Sequence, residues 1–426
     1  MRWSMRWSNS FLVLVAVSLI SSCGDAEKPV GEPTVAWAFH TAGKFEPCGC
    51  TAGMHGGLMR RVTLQKRGDA KATLALEGGG WTAGSADHQQ LQSAAYLSAL
   101  VASDIAAIGV GRAEIALGRP ILTAHLTQAP IVCANLLASD GTLLGTNSIT
   151  RTVSSRTFTI TSVVPADARG ADLRAGNPVE ALTRLVDQMG NRAAGSTLVV
   201  LADLDEAALA DLARAVPAID VLIGGDVTAP SQTPVAVGRT RIVHQANHGK
   251  ALGWYTLGAD QCRFELLSEQ TPEDPAIRQR VVTLQRTIAT ANLAADHHVP
   301  LAAGDIAYAG PAACAACHPQ AAAVHAASPH ARALAALTAK GYAADPDCLR
   351  CHVTGLSKPD GWFRRDTRAK LAAVTCESCH GPGAAHVATQ GKTPLIPASP
   401  ATCVSCHDSD NSPHFVYETY WNKIRH

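Results

Sequence analysis

The last quarter of the chain repeats the pattern Cys-x-x-Cys-His four times, at residues 314–318, 348–352, 376–380 and 403–407. That pentad is the attachment signature of a covalent c-type haem. Two thiols must reach the two vinyl groups of one porphyrin, while the adjacent imidazole swings under the ring to bind iron. One pentad alone can be a chance match, a zinc-site fragment or a thioredoxin-like pair; four between residues 314 and 407 fit none of these. The expectation is four covalent haems, attached at Cys314 and Cys317, Cys348 and Cys351, Cys376 and Cys379, and Cys403 and Cys406. His318, His352, His380 and His407 are the expected proximal iron ligands, and this part of the chain is an electron carrier.

An axial Met would raise a haem potential, and an axial His leaves it lower. No Met follows Met189, so the haem segment itself offers only His on the distal side. Local stiffness singles out three residues. Ser328-Pro329 reads as a helix cap with Pro at the first helical position, which would hold His330 in the first turn of an Ala-rich helix. His386 follows Gly381-Pro382-Gly383, and His414 follows Ser412-Pro413. His325 and the terminal His426 complete the distal candidates, ahead of His297 and His298.

Four stretches carry a family resemblance: residues 308–314 (Tyr-Ala-Gly-Pro-Ala-Ala-Cys), 328–331 (Ser-Pro-His-Ala), 347–355 and 376–383. Together they resemble the tetrahaem cytochromes that accept electrons from hydroxylamine oxidoreductase in nitrifying bacteria, over residues 305–426. The resemblance implies a mainly α, haem-packed multihaem cytochrome c domain with mostly two-His haems, and it allows one five-coordinate haem. It does not imply nitrification, because such modules recur beside many partners.

The opposite end of the chain points to export. Arg2 and Arg6 precede an apolar run over residues 11–20 that is too short for an ordinary membrane span, and Ser21-Ser22-Cys23 follows. Residues 1–22 read as a secretory signal. The run into Cys23 resembles a bacterial lipobox, which implies cleavage before Cys23, diacylation of its thiol and a polar tether over residues 23–33. Ordinary cleavage with Cys23 incidental is the alternative. Export suits c-type haem, which bacteria attach outside the cytoplasm. The expected location is the periplasm, anchored to a membrane as a lipoprotein, with redox proteins as partners. A net charge of +1 without long charge runs argues against a nucleic-acid surface.

Between these ends, residues 34–270 alternate short β-rich runs with amphipathic stretches. Strands are expected at 35–39, 73–76, 105–108, 131–134, 157–163, 197–201, 221–223, 240–244, 252–257 and 263–267, and helices at 91–101, 179–189 and 206–215. That alternation favours a layered α/β domain. A helix from residue 275 to about 294, within a linking segment of residues 271–304, leads into the haem module.

His40-Thr41, the Gly-Gly-Leu-Met-Arg-Arg run at 56–61, Leu-Glu-Gly-Gly-Gly-Trp at 76–81, residues 108–118, Ala134-Asn135-Leu136 and residues 219–225 resemble the metal-binding domain of periplasmic 5'-nucleotidases. The resemblance implies a four-layer α-β-β-α sandwich of metallophosphoesterase type. Its metal ligands are missing. Gly43 and Phe45 stand where the family has Asp and His, and Gly80 replaces the bridging Asp. Arg112-Ala113 replaces an Asn-His pair, Asp203 a further His, and Asp226-Val227-Thr228 the closing His-x-His. Two-metal hydrolysis needs carboxylates and imidazoles to clamp the attacking and leaving oxygens, so phosphoesterase chemistry is not expected.

In their place, the loop after the first strand carries Glu46-Pro47-Cys48-Gly49-Cys50. This resembles exported proteins that combine a degenerate nucleotidase domain with Cys-Gly-Cys. Intervening Gly lets the two thiols converge on each other or on one soft metal, and a Cys-x-Cys disulfide closes a small ring that is easily reduced. His40, His55, His244 and His248 lie near predicted strand ends or loops and are candidates to add ligands or proton relays. A structural disulfide is the plainer alternative for Cys48 and Cys50. Cys133 and Cys262 read as a structural disulfide or as buried small hydrophobes. The leading reading is an exported, lipid-anchored electron-transfer protein, an oxidoreductase if the Cys48/Cys50 pair reacts. The alternatives are an electron carrier whose N-terminal domain only docks a partner, and a metal-dependent phosphoesterase.

Overall fold

The computed structural model describes residues 32–47, 54–69, 71–190, 195–225, 227, 231–244, 247–366, 369–409 and 411–426. The expected signal segment, Cys23, Cys48, Cys50, Asp226 and Thr228 lie outside the described residues.

Two mixed sheets lie face to face. The first runs Arg263–Leu266, Ala251–Thr256, Thr34–Ala38, Thr73–Glu77 and Ala107–Ile108 from edge to edge. The second runs Val235–Val237, Thr240–His244, Val221–Gly224, Thr197–Ala202, Arg156–Val163 and Ile149–Val153. Strand alternation decides which side chains fill which layer. Val35, Trp37, Phe39, Leu74 and Leu76 of the first sheet meet Phe158, Ile160, Val199 and Leu201 of the second in one shared core. The alternate residues Leu198, Val200 and Ala202 point the other way, onto the helices Pro178–Met189 and Glu206–Ala215. On the outer face of the first sheet lie Leu58–Arg67, Asp87–Val101 and Pro275–Thr290. The result is the four-layer α-β-β-α sandwich.

Pro275–Thr290 buries Ile277, Val281, Leu284 and Ile288, which recur at helical spacing and form one stripe against that core. Asp274 caps it, accepting from Ala276 N and Ile277 N at 3.0 and 3.1 Å, with Pro275 at the first position. The helix stops at Thr290 rather than 294, because Ala291 is extended and Arg364 takes the terminal carbonyls of Ala289 and Ala291 at 2.8 and 3.2 Å. The strand expected at 131–134 does not form; Ile131 and Val132 make isolated bridges, and a short strand lies instead at Leu136–Ala138.

Residues 305–426 contain short helices and no strand among the described residues. Their own apolar core is small: Tyr308, Leu337, Leu349, Val353, Trp362 and Leu371. The helices Pro311–Cys317, Pro319–Ala327, Ala384–Ala388 and Pro400–Val404 bury no residue. Among the described residues no helix is long and apolar enough to cross a membrane.

Candidate functional site

The strands Thr34–Ala38, Thr73–Glu77 and Ala107–Ile108 run parallel, so their carboxyl ends deliver the following loops to one mouth. Protein side chains pack closely at that mouth. Gly80 has φ +78°, and a Cβ on it would lie 2.4 Å from His40 Cδ2. His40 Nε2 is 2.8 Å from Asp203 Oδ1, and the other Asp203 oxygen accepts from Arg112 N at 2.8 Å. Burial pushes the Asp203 carboxyl up, but its bonds to His40 and to Arg112 N outweigh that and hold it below the usual aspartate range. The His40 ring stacks on His248 at 5.3 Å, and both residues have positive φ, 50° and 44°, a strained backbone state for His. Phe45 is buried against the edge of Tyr96 at 5.6 Å.

Two buried carboxylates brace this mouth. Glu114 accepts from the backbone N–H groups of Gly80, Thr82 and Gly111 at 2.8–2.9 Å. Glu77 accepts from the Arg61 guanidinium and from Thr41 Oγ1. Burial pushes both carboxyls up against these stabilising bonds. Sequence reasoning misses both residues, since an isolated acid in a loop or at a strand end carries no pattern. His55 and His248 line a narrow cleft with Thr41, Glu46 and Tyr96. His244 is buried, which lowers its pKa. A larger cleft of about 490 Å³, lined by Arg174, Asn177, Glu180 and Arg184, lies elsewhere and holds none of these groups.

Cys133 and Cys262 are both reduced and buried, in different core clusters, so the disulfide alternative is not realised. Burial pushes their thiols up to about 11 and about 12, which makes them inert.

In the C-terminal module, histidines far apart in sequence pair ring to ring. The centroids of His318 and His386 are 6.2 Å apart, those of His330 and His407 6.2 Å, and those of His380 and His426 6.0 Å. A metal–imidazole bond is about 2 Å long and a ring centroid lies about 1 Å behind the nitrogen, so two imidazoles facing one metal ion hold centroids about 6 Å apart. The three centroid separations match that spacing. Outer hydrogen bonds fix the rings as metal-ligating histidines are usually fixed. The Nδ1 atoms of His352, His380, His386 and His426 meet the carbonyls of Ala333, Ile396, Thr393 and Ile424 at 2.7–3.0 Å, leaving Nε2 for a metal. His407 Nδ1 meets Ser412 Oγ at 3.2 Å. His325 instead turns Nε2 to the Val374 carbonyl at 2.8 Å. His330 lies in the 3-10 turn Pro329–Arg332, one turn ahead of the helix Ala333–Lys340 in which the sequence places it, and Ser328 Oγ bonds back to His325 O instead of capping forward. His414 is exposed beside Phe415, whose ring stacks on His407 at 4.8 Å.

The pentads also adjoin one another. Cys351 lies beside Cys406, and Cys314 beside Cys376. Glu377, inside the third pentad, accepts from Ala309 N and Gly310 N at 2.8 Å, just ahead of the first.

Residues 313–381 match the family described as cytochrome c554 and c-prime. The C-terminal module is of the cytochrome c554 type. Over 45 residues, 11% of this chain, it is 47% identical to cytochrome c-554 of Nitrosomonas europaea. That match spans only 19% of the relative's length. The matched residues take in three of the four pentads.

The remaining domain is similar in fold to a 5'-nucleotidase precursor from Thermus thermophilus, with TM-score 0.52 and 21% identity over 61% of this chain and 59% of that one. It is also similar to the calcineurin-like phosphoesterase YfkN from Bacillus subtilis, with TM-score 0.50 and 17% identity over 60% of this chain and 97% of that one. At such identities the likeness establishes the fold alone. A cytochrome c554-type module is therefore joined to a metallophosphoesterase-like sandwich.

Proposed function

We propose that the chain is an exported multihaem electron carrier that exchanges electrons with a thiol centre on a phosphoesterase scaffold without hydrolytic activity. The pairing of His318 with His386, His330 with His407 and His380 with His426 at iron-sandwich spacing carries this reading. In it the four pentads hold four haems through their eight cysteines, His318, His352, His380 and His407 bind iron on the proximal side, and His386, His330 and His426 bind on the distal side of three. Bound haem supplies one-electron storage and passage at the low potential that two-His ligation favours. The porphyrins would also occupy the interior that short helices with no buried residues leave to them.

The loss of hydrolysis rests on what fills the old metal ground: the His40 ring against Gly80, Phe45 in the core and Asp203 held by His40 and Arg112. The proposed redox centre is Cys48 and Cys50, as a dithiol/disulfide couple or as ligands to a soft metal. Closing a disulfide from two thiols releases two electrons and two protons. The electrons leave singly for two ferric centres of the module, and the protons leave to solvent or to the histidines at the cleft, His55 and His248. Cleavage before Cys23 and its lipidation would keep the chain on the periplasmic side of a membrane. The test is haem content and hydrolysis together. Pyridine haemochrome and intact mass should give four haems per chain, and phosphomonoesters and diesters should stay intact with Mn, Mg, Zn or Co. Fewer haems after full maturation, or chelator-sensitive hydrolysis, would overturn the reading.

A further inference from the structure

The haem module is docked on the N-terminal domain through the segment that opens its second pentad. Tyr342 packs against the core that includes Phe45 and Tyr96, and it also packs against the module's own core together with Cys348. Its hydroxyl donates to one Glu46 carboxylate oxygen, and Arg278 donates to the other at 2.7 Å. Three residues on, Asp345 Oδ2 accepts from Gln285 Nε2 at 3.0 Å. Asp345 is the N-cap of the helix Pro346–His352, its other oxygen accepting from Asp347 N at 3.0 Å. Asp347, next to Cys348, lies 3.1 Å from His88 Nε2 at the start of the helix Asp87–Val101. Burial pushes the Asp347 carboxyl up, but its bond to His88 outweighs this and holds it ionised.

Side chains of Glu46, His88 and Gln285 thus grip residues 342–347, with Arg278 holding Glu46 in place, and the attachment helix of the second pentad begins inside the grip. Electron transfer falls off steeply with distance, so the pentad anchored on the donor domain is the favoured crossing point. Glu46 stands in the loop that follows the first strand, so one carboxylate ties that loop to this pentad.

We propose that the second pentad, residues 348–352, is the port through which electrons cross between the N-terminal domain and the haem module, and that Glu46 is the positioning residue that clamps it through Tyr342. The proposal rests on the reading of the chain as an intramolecular electron carrier. A carboxylate near a haem favours ferric iron, so neutralising it raises the midpoint potential of that haem. Asp347→Asn marks the port haem, since Asp347 adjoins Cys348. Potentiometric titration of the full haem-loaded chain should show Glu46→Gln raising the same haem component that Asp347→Asn raises. Hydrogen exchange across residues 342–352 should quicken in Glu46→Gln and in Tyr342→Phe, and thiol-to-haem electron exchange should slow several-fold in both. Different components responding to the two charge variants, or no response to Glu46→Gln, would overturn the port. No thiol-to-haem exchange in the unaltered chain overturns the underlying reading, whereas exchange that both clamp variants leave at full rate overturns the port alone.

Discussion

Placing an aspartate at position 80 with Gly80→Asp should damage the domain rather than build a metal centre. Residue 80 has φ +78°, where a side chain meets its own backbone, and that conformation costs about 1–2 kcal/mol for a non-Gly residue. The new Cβ would lie 2.4 Å from His40 Cδ2 and 2.9 Å from His40 Cα, and the second contact is backbone that cannot swing away. Overpacking of this kind costs about 1–3 kcal/mol. The added carboxylate would also sit close to Asp203, which the His40 ring and Arg112 N already engage. A total of about 2–5 kcal/mol lowers the unfolding temperature of a domain this size by about 5–15 °C. Circular dichroism melting, with the haem Soret band followed separately, reads the loss in the sandwich, and elemental analysis reads metal. A Gly80→Asp chain as stable as the parent, carrying Mn or Zn in stoichiometric amount, would refute the argument that protein atoms fill the site.

Substituting Ala singly for His330, His386 or His426 should leave every haem attached and turn one toward high spin, because attachment depends on the pentads and spin state on the facing ring; electron paramagnetic resonance and intact mass check this. Arg364→Ala strips the principal partner from Asp296, whose side chain is fully buried, and should cost about 3–5 kcal/mol in chemical denaturation at neutral pH. Burial pushes the Asp296 carboxyl up, but the Arg364 bonds outweigh it and depress the folded pKa. The stabilisation is therefore present above the unfolded aspartate value of about 4 and is lost as pH falls through the folded one, so parent and variant should converge in acid.

The parts of this molecule legible in sequence are those in which chemistry is local. A pentad carries its whole haem attachment in five consecutive residues, and the apolar run at 197–202 marks a strand buried on both faces. The helix Leu58–Arg67 is less readable, because Arg60 and Arg61 are buried beside Leu58, Met59 and Val62 and erase the polar face expected of a surface helix. Arg60 is consumed by the carbonyls of Met54 and Leu267 at 2.8 and 3.2 Å, and Arg61 by Glu77 and the Leu76 carbonyl. Residues 131–134 resemble a strand in their β-rich composition, yet Asn135 draws the chain aside by bonding the carbonyls of Val164 and Gly176, both at 2.8 Å. Which histidines face each other is out of reach of sequence, since His330 and His407 or His380 and His426 meet only once the module folds. Local stiffness favours His330, His386 and His414, whereas the ring pairs involve His330, His386 and His426. The contact of Tyr342 with Glu46 spans 296 residues and has no local signature at either end.

The most direct test of coupling between the two domains is one anaerobic redox titration that follows haem absorbance and the thiol state of Cys48 and Cys50 together. Thiols are trapped by alkylation at each potential and read by mass spectrometry, with the Cys48→Ser/Cys50→Ser chain as control. The account predicts that both residues change state within the potential range of the haems, and that reduced haems reoxidise with different kinetics in the control. Cys48 and Cys50 fixed in one state throughout, without bound metal and with reoxidation unchanged by their replacement, would contradict it and leave the N-terminal domain a docking scaffold.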